Sequence, residues 1–240
     1  ALVGTGYKIR VGAHSWDFSN KPTIKRLDRS SLLYSIEAAT TKIASPLGGG
    51  IYLTGLNTAL TLDHSSVSNN LVGRTGAGIY ASGNYIQITV QNDSAINGNE
   101  STEDNDGAQG GGIYLYGIGV RLDIADSSIS DNIAERFGGA VYLYNNSNTI
   151  PGQLTVSRSQ IDRNEATDRS GGGLWTYQTA VTITHSTLND NRAPDTGGDW
   201  GGGALYMSGT GSNLNLSDST VTGNTAAAYG GGIYLSNTTA

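Results

Sequence analysis

The sequence predicts an all-β solenoid: a parallel β-helix of about six to seven coils (residues 47–240) behind a non-repetitive N-terminal segment (residues 1–46). Three observations predict it. A glycine-led phrase, first seen as Gly48 to Leu53, recurs seven times and sets up the aromatic column Tyr52, Tyr80, Tyr114, Tyr142, Trp175, Tyr206 and Tyr234, at spacings of 28, 34, 28, 33, 31 and 28 residues. A second phrase lies between successive aromatics: an apolar doublet, a serine, an aliphatic two residues later and an asparagine three further on. The composition agrees with both, because its 35 glycines are periodic and only 14% of residues are charged, which suits short strands and frequent turns rather than long helices. Self-similarity at this period marks units that cannot bury an apolar face alone and must stack to do so.

Residues 1–46 carry neither phrase. Tyr7 to Val11 alternates apolar with basic residues, the period-two pattern of a half-buried strand. Leu32, Ile36, Ala39 and Ile43 recur at helical spacing behind Asp28 and Ser30, which suggests a short amphipathic helix with a capped start. A solenoid's terminal coil would otherwise show its apolar interior to water, so capping and assembly are the expected roles of this segment.

From residue 47 each coil supplies strands in a fixed order. In Ile51-Tyr52-Leu53 the aliphatics alternate with the aromatic, so the aliphatics face a core and the aromatic faces out. The doublets Leu60/Leu62, Ile88/Val90, Leu122/Ile124, Leu154/Val156, Val181/Ile183 and Leu214/Leu216 read the same way. The Ser-x-aliphatic segments, Ser65 to Val67 in the first coil and Ser219 to Val221 in the sixth, supply a third strand. Three strands per coil predict three parallel sheets, with coils stacked ~4.8 Å apart.

The asparagine column comprises Asn70, Asn99, Asn132, Asn164, Asn191 and Asn224. A turn asparagine tolerates left-handed backbone and bonds its neighbours through its amide. Stacked coil over coil, such residues form a structural ladder that satisfies groups a tight buried turn would strand. The glycines serve the opposite corner, where the backbone turns without a Cβ.

Charge narrows the function classes. The net charge of −6 argues against nucleic acid as a partner, which calls for a basic footprint. It is unevenly placed: residues 1–46 hold seven basic residues against three acids (+4), and the rest holds seven arginines, no lysine and seventeen acids (−10). There is no cysteine, so stability must come from core and ladder rather than disulfides. No apolar run approaches the length of a membrane-spanning segment.

Gly138-Gly139-Ala140-Val141 and Gly202-Gly203-Ala204-Leu205, together with aliphatic-x-x-Asn runs such as Ile129 to Asn132, resemble the paired Gly-Gly-Ala-aliphatic and Phe-x-x-Asn repeats of polymorphic outer-membrane proteins and bacterial surface adhesin passenger domains. This chain has an aliphatic where that pattern has Phe. The resemblance spans residues 47–240. It implies a right-handed coil, display outside the cell or on its surface, and cell-surface glycans or proteins as partners.

Three places could carry chemistry. Alternation puts Tyr116, Tyr144 and Tyr177 on the same outer face as Tyr114, Tyr142 and Trp175. These six residues are the candidate ligand-binding patch, offering apolar faces and polar tips to sugar rings or to protein; the alternative is simple strand-to-strand stacking. Next, Glu100 to Gly107 bunches four acids. Calcium on Glu103, Asp104 and Asp106 is one reading, but the distal glutamate of a complete loop is missing, and a solvated loop is the simpler one. The weaker cluster from Asp195 to Asp199 reads the same way. No cofactor is otherwise implied. Last, Asp123, Asp126 and Asp131 spread over different faces, and His64 and His185 occupy the same turn position in distant coils. No nucleophile, base and orienter assemble, so no catalytic residue is expected.

The expected function is therefore a non-enzymatic extracellular structural or adhesive β-helix. Its rival is a polysaccharide lyase or hydrolase of the pectate-lyase-like class, with a site built from separate coils. An ice-binding array on Thr61, Thr89, Asp123, Thr155, Thr182 and Asn215 is twice interrupted. A basic segment before an acidic body, and a last phrase followed by five residues, also suggest head-to-tail self-assembly into a filament, with residues 1–46 of one copy covering the last coil of the next.

Overall fold

A computed structural model describes residues 8–11, 14–17, 34–37, 47–102, 107–194 and 201–236. From Ile51 onward every strand pairs in parallel with its counterpart in the neighbouring coil. Seven strands, Ile51–Thr54 to Ile233–Ser236, form the aromatic sheet, and six, Ala59–Asp63 to Asn213–Ser217, form the doublet sheet. Six more, Ser65–Ser68 to Thr220–Thr222, form the coil part of the serine sheet. The result is the parallel solenoid that the repeat predicts.

It has four sheets rather than three. After each asparagine the chain stays extended for two residues, from Leu71–Val72 to Thr225–Ala226, and these six short strands form a sheet of their own. Their second residue turns inward, so that Val72, Ser101, Ala134, Ala166 and Ala193 are buried. Two residues are too few to show an alternation, which is why the periodicity did not reveal this strand.

Inward-facing aliphatics from the aromatic, doublet and serine sheets meet in one continuous core, with Ile113, Leu115, Leu122, Ile124 and Ile129 fully buried in the middle coils. Corners are where a solenoid strands backbone polar groups, and here two side-chain ladders satisfy them. The backbone N–H and the side-chain amide of Asn132 both donate to Asn164 Oδ1 at 3.0 Å. Asn132 Oδ1 in turn accepts from the N–H and amide of Asn99 at 3.0 and 2.9 Å. The Asn132 amide also donates back to the Ile96 carbonyl at 2.8 Å. The same pattern links Asn70, Asn99, Asn164, Asn191 and Asn224.

The serine column is a second ladder. The N–H groups of Ser65, Ser127, Ser159 and Ser186 each donate at 3.1 Å to the serine hydroxyl of the next coil. Ser127 and Ser159 send their own hydroxyls to carbonyls two residues back, at 2.8 and 2.7 Å. At the glycine corner, Gly110 takes φ 62°, and a Cβ there would run into the Ile113 carbonyl; only glycine fits such a left-handed close approach.

The segment before the coils adds strands to the serine sheet. Lys8–Val11, the expected strand, pairs antiparallel with His14–Asp17 and with Tyr34–Glu37, and Tyr34–Glu37 runs parallel to Ser65–Ser68. The helical spacing of Leu32, Ile36, Ala39 and Ile43 is therefore overridden at its centre. Residues 34–37 are a strand, because the first coil offers an open ladder edge whose pairing outweighs a weak local periodicity. Leu32, Ala39 and Ile43 lie outside the described residues.

Asn132→Ala should lower unfolding stability by about 1–3 kcal/mol, the cost of leaving a buried partner unsatisfied. Urea titration followed by circular dichroism measures it; a loss of a few tenths would mean that the ladder is solvated and contributes little.

Candidate functional site

Because coils stack in register, each outward aromatic lies over the next. Ring centroids are 4.9 Å apart for Tyr52–Tyr80, 5.0 Å for Tyr80–Tyr114, 5.1 Å for Tyr114–Tyr142 and 4.6 Å for Tyr142–Trp175. Trp175–Tyr206 and Tyr206–Tyr234 continue the column at 5.8 and 5.4 Å. A second column, Tyr116–Tyr144–Tyr177, runs beside it at 5.3 and 4.6 Å. The two columns are 6.4 to 6.5 Å apart at Tyr114–Tyr116, Tyr142–Tyr144 and Trp175–Tyr177. The structure thus brings together all six residues of the candidate patch.

Their exposure differs from the expectation of an open aromatic platform. Tyr142 and Trp175 are only 7% and 8% exposed. Neighbouring rings cover them above and below, and Phe137 tilts over both, with centroids at 6.3 and 5.4 Å. Phe137 was not singled out from the sequence. Its signal is faint: an aromatic just before the glycine phrase, where neighbouring coils have Gln109 and Ser170. Within each column the planes lie 3 to 31° from parallel, so ring faces are turned to one another and solvent meets ring edges and phenol oxygens. The half-buried Tyr116, Tyr144 and Tyr177 form the accessible ridge.

Burial pushes the Tyr142 and Tyr114 phenols well above the ordinary tyrosine range, and those of Tyr80, Tyr144 and Tyr206 upward as well. Neutral phenols keep the stack uncharged. The Trp175 indole N–H is buried without a hydrogen-bond partner.

Two ion pairs flank the serine sheet. Arg158 meets Asp126 through two bonds of 2.7 Å, and Arg163 meets Asp131 through two of 2.8 Å. Both pairs bridge adjacent coils. The Arg158 guanidinium holds the Asp126 carboxyl below its usual range. Asp162 moves the other way: burial raises it, against hydrogen bonds from the Asn189 N–H and the Thr187 hydroxyl. A shallow groove of about 400 Å³ lies beside Asp93, Asp126, Arg158 and Gln160. Asp123 pairs with Arg121 on the doublet sheet, apart from Asp126 and Asp131. His64 and His185 sit at equivalent left-handed turn positions, each beside a different aspartate. Among the described residues no three His, Cys, Asp or Glu side chains converge in a way that could hold a metal. The calcium candidates Glu103, Asp104 and Asp106 lie outside the described residues, as does the stretch 195–200.

The profile described as "Right handed beta helix region" matches residues 49–240. The chain belongs to the right-handed β-helix family. One relative of this β-helix is "Probable autotransporter YfaL" of Escherichia coli (strain K12), 25% identical over 189 residues. The match covers 73% of this chain and 15% of that protein, so the β-helix corresponds to a small part of the relative's length. No solved structure matches it.

Raised phenol pKa values mean that folding favours the neutral form. Their contribution to the β-helix is complete below the ordinary tyrosine value of about 10 and is lost as the pH rises above it. Absorbance of ionised tyrosine should therefore appear in two steps: exposed phenols first, then Tyr114 and Tyr142 together with loss of the β-sheet signal. A single step with the fold intact would contradict the buried stack.

Proposed function

We propose that this chain is a non-enzymatic segment of an extracellular or cell-surface protein, a structural rod that makes adhesive contact along the Tyr116–Tyr144–Tyr177 ridge. The observation that carries this reading is the uninterrupted register of the aromatic stack, which builds a stiff two-column ridge over the three middle coils. The autotransporter relative supports surface display. The charged residues support it too, since they pair with one another between coils instead of converging on one point. Residues 1–46 close the N-terminal end of the rod in this reading, because their strands extend the serine sheet past the first coil.

The rival is a polysaccharide lyase or hydrolase with carboxylates drawn from several coils. A second reading of assembly rests on charge: residues 1–46 carry +4 and the remaining residues −10. Residues 1–46 of a second copy would dock head to tail on the acidic body.

One set of samples tests these readings. The chain should bind surface glycans or proteins without turning over acidic or neutral polysaccharides, with or without Ca²⁺, and Tyr116→Ala/Tyr144→Ala/Tyr177→Ala should cut binding at least tenfold with the β-sheet spectrum unchanged. Turnover abolished by one Asp→Asn change would establish the enzyme instead. Sedimentation should show head-to-tail species at low salt that dissociate as exposed charges are screened; a monomer at high concentration and low salt would exclude the filament.

A further inference from the structure

The coils are divided by charge as well as by sheet. From each outward aromatic to the end of the following doublet strand run residues 52–63, 80–91, 114–125, 142–157, 175–184 and 206–217. Across all six stretches the charged residues are Asp63, which ends the first doublet strand and accepts from the Asn92 amide at 2.9 Å, and the pair Arg121 and Asp123. These two engage each other at 2.5 and 3.0 Å, and Arg121 also donates to Gln153 at 2.9 Å. The charged residues Asp93, Asp126, Arg158 and Asp218 lie beyond the doublet strands, at the next corner. One broad side of the rod, from the tyrosine ridge across the doublet sheet, therefore carries one closed ion pair and, at its far edge in the first coil, Asp63, and is otherwise uncharged.

This side also keeps its polar groups available. Outward-facing Thr61, Thr89, Thr155, Thr182 and Asn215 stand in one register column of the parallel doublet sheet, with Asp123 between Thr89 and Thr155 and with Gln87 in the row beside them. Among the described residues the side chains of these threonines, Gln87 and Asn215 make no hydrogen bond within the protein, in contrast to the arginines and aspartates of the charged corner, which satisfy one another. At the corner between ridge and sheet, Tyr85 and Ile150 are 46% and 41% exposed. They close in on Gly119, where a Cβ would stand 2.8 Å from the Tyr85 ring and 3.4 Å from Ile150.

We infer that this sparsely charged side binds an uncharged, hydroxyl-rich polysaccharide, laid from the Tyr85–Ile150 corner onto the threonine and amide array. The inference rests on the adhesive reading and names the class of its partner. Each hydroxyl or amide is at once donor and acceptor, as is each sugar hydroxyl, so the two surfaces match without burying an unpaired charge. An acidic polysaccharide would meet one arginine on this side, already held by Asp123. A protein partner fits less well, since protein interfaces centre on aromatic, Met and Arg anchors with polar residues at the rim. Here the exposed apolar side chains Tyr85 and Ile150 lie at the rim, and the one arginine in the middle is already bonded to Asp123 and Gln153.

The full chain should be tested by biolayer interferometry against immobilised neutral glucan, neutral mannan and polygalacturonate. A neutral glycan should bind and polygalacturonate should not, with little change between about 0.05 and about 0.5 M salt, over which charge contacts would be screened away. Thr89→Glu/Thr155→Glu should reduce binding at least tenfold at an unchanged melting temperature, and Tyr85→Ala should weaken it independently of those strands. Preference for polygalacturonate, or loss of binding in high salt, would overturn the inference. If a protein-coated surface is held through the tyrosine ridge while no neutral glycan binds, the adhesive reading stands and this one fails.

Discussion

Everything in this molecule depends on how one coil holds the next at its tightest turn. The peptide N–H at each turn asparagine from Asn70 to Asn191 points to the next coil, buried, where water cannot reach it. The asparagine of the next coil accepts that N–H and the side-chain amide together, as Asn164 does for Asn132 at 3.0 Å. A buried donor left alone would cost about 1–3 kcal/mol, so each turn favours one stacking register. The serine ladder repeats the device at a second corner. Insertions are compatible with this. One longer coil places its extra residues around 145–151, between the ladders, and the turns on either side keep their bonds.

Register then decides what the outside looks like. Coils that stack in line put Tyr114 over Tyr142 and Tyr142 over Trp175, each contact contributing on the order of 0.5–1.5 kcal/mol beyond burial. Seven rings in one column stiffen the aromatic sheet. The same stacking consumes the ring faces, so a partner meets edges and phenol oxygens rather than an open aromatic plate. The outer surface is divided accordingly: a ridge that is largely its own partner, a hydroxyl and amide side with few charges, and a charged corner whose ion pairs are closed between coils.

Much of this was legible in the sequence, because a parallel solenoid repeats each structural role at the same point of every coil. The aromatic, doublet and asparagine columns are visible as periodic residue types, and strand alternation assigned Ile113 and Leu115 inward with Tyr114 outward, as found. The fourth sheet was not, since Leu71–Val72 and its counterparts are two residues long and vary from Glu-Ser to Ile-Ala. Nor was the burial of Tyr142 and Trp175, which comes from neighbouring coils and from Phe137, a residue outside both phrases. The helical spacing around Ile36 misled because local periodicity carries no information about the open strand edge at Ser65–Ser68. The serine column was evident, but its ladder required knowing that the next hydroxyl lies 3.1 Å from each N–H.

Native-state amide hydrogen exchange tests the ladder most directly. The informative groups are the backbone N–H of Asn99, Asn132 and Asn164, each donated to a side-chain oxygen of the following coil. The account predicts that these turn amides exchange as slowly as those of the buried strand residues Ile113 and Val141, through global unfolding. Exchange at the rate of an open surface turn would show that the coils are not joined through their asparagines and would contradict it.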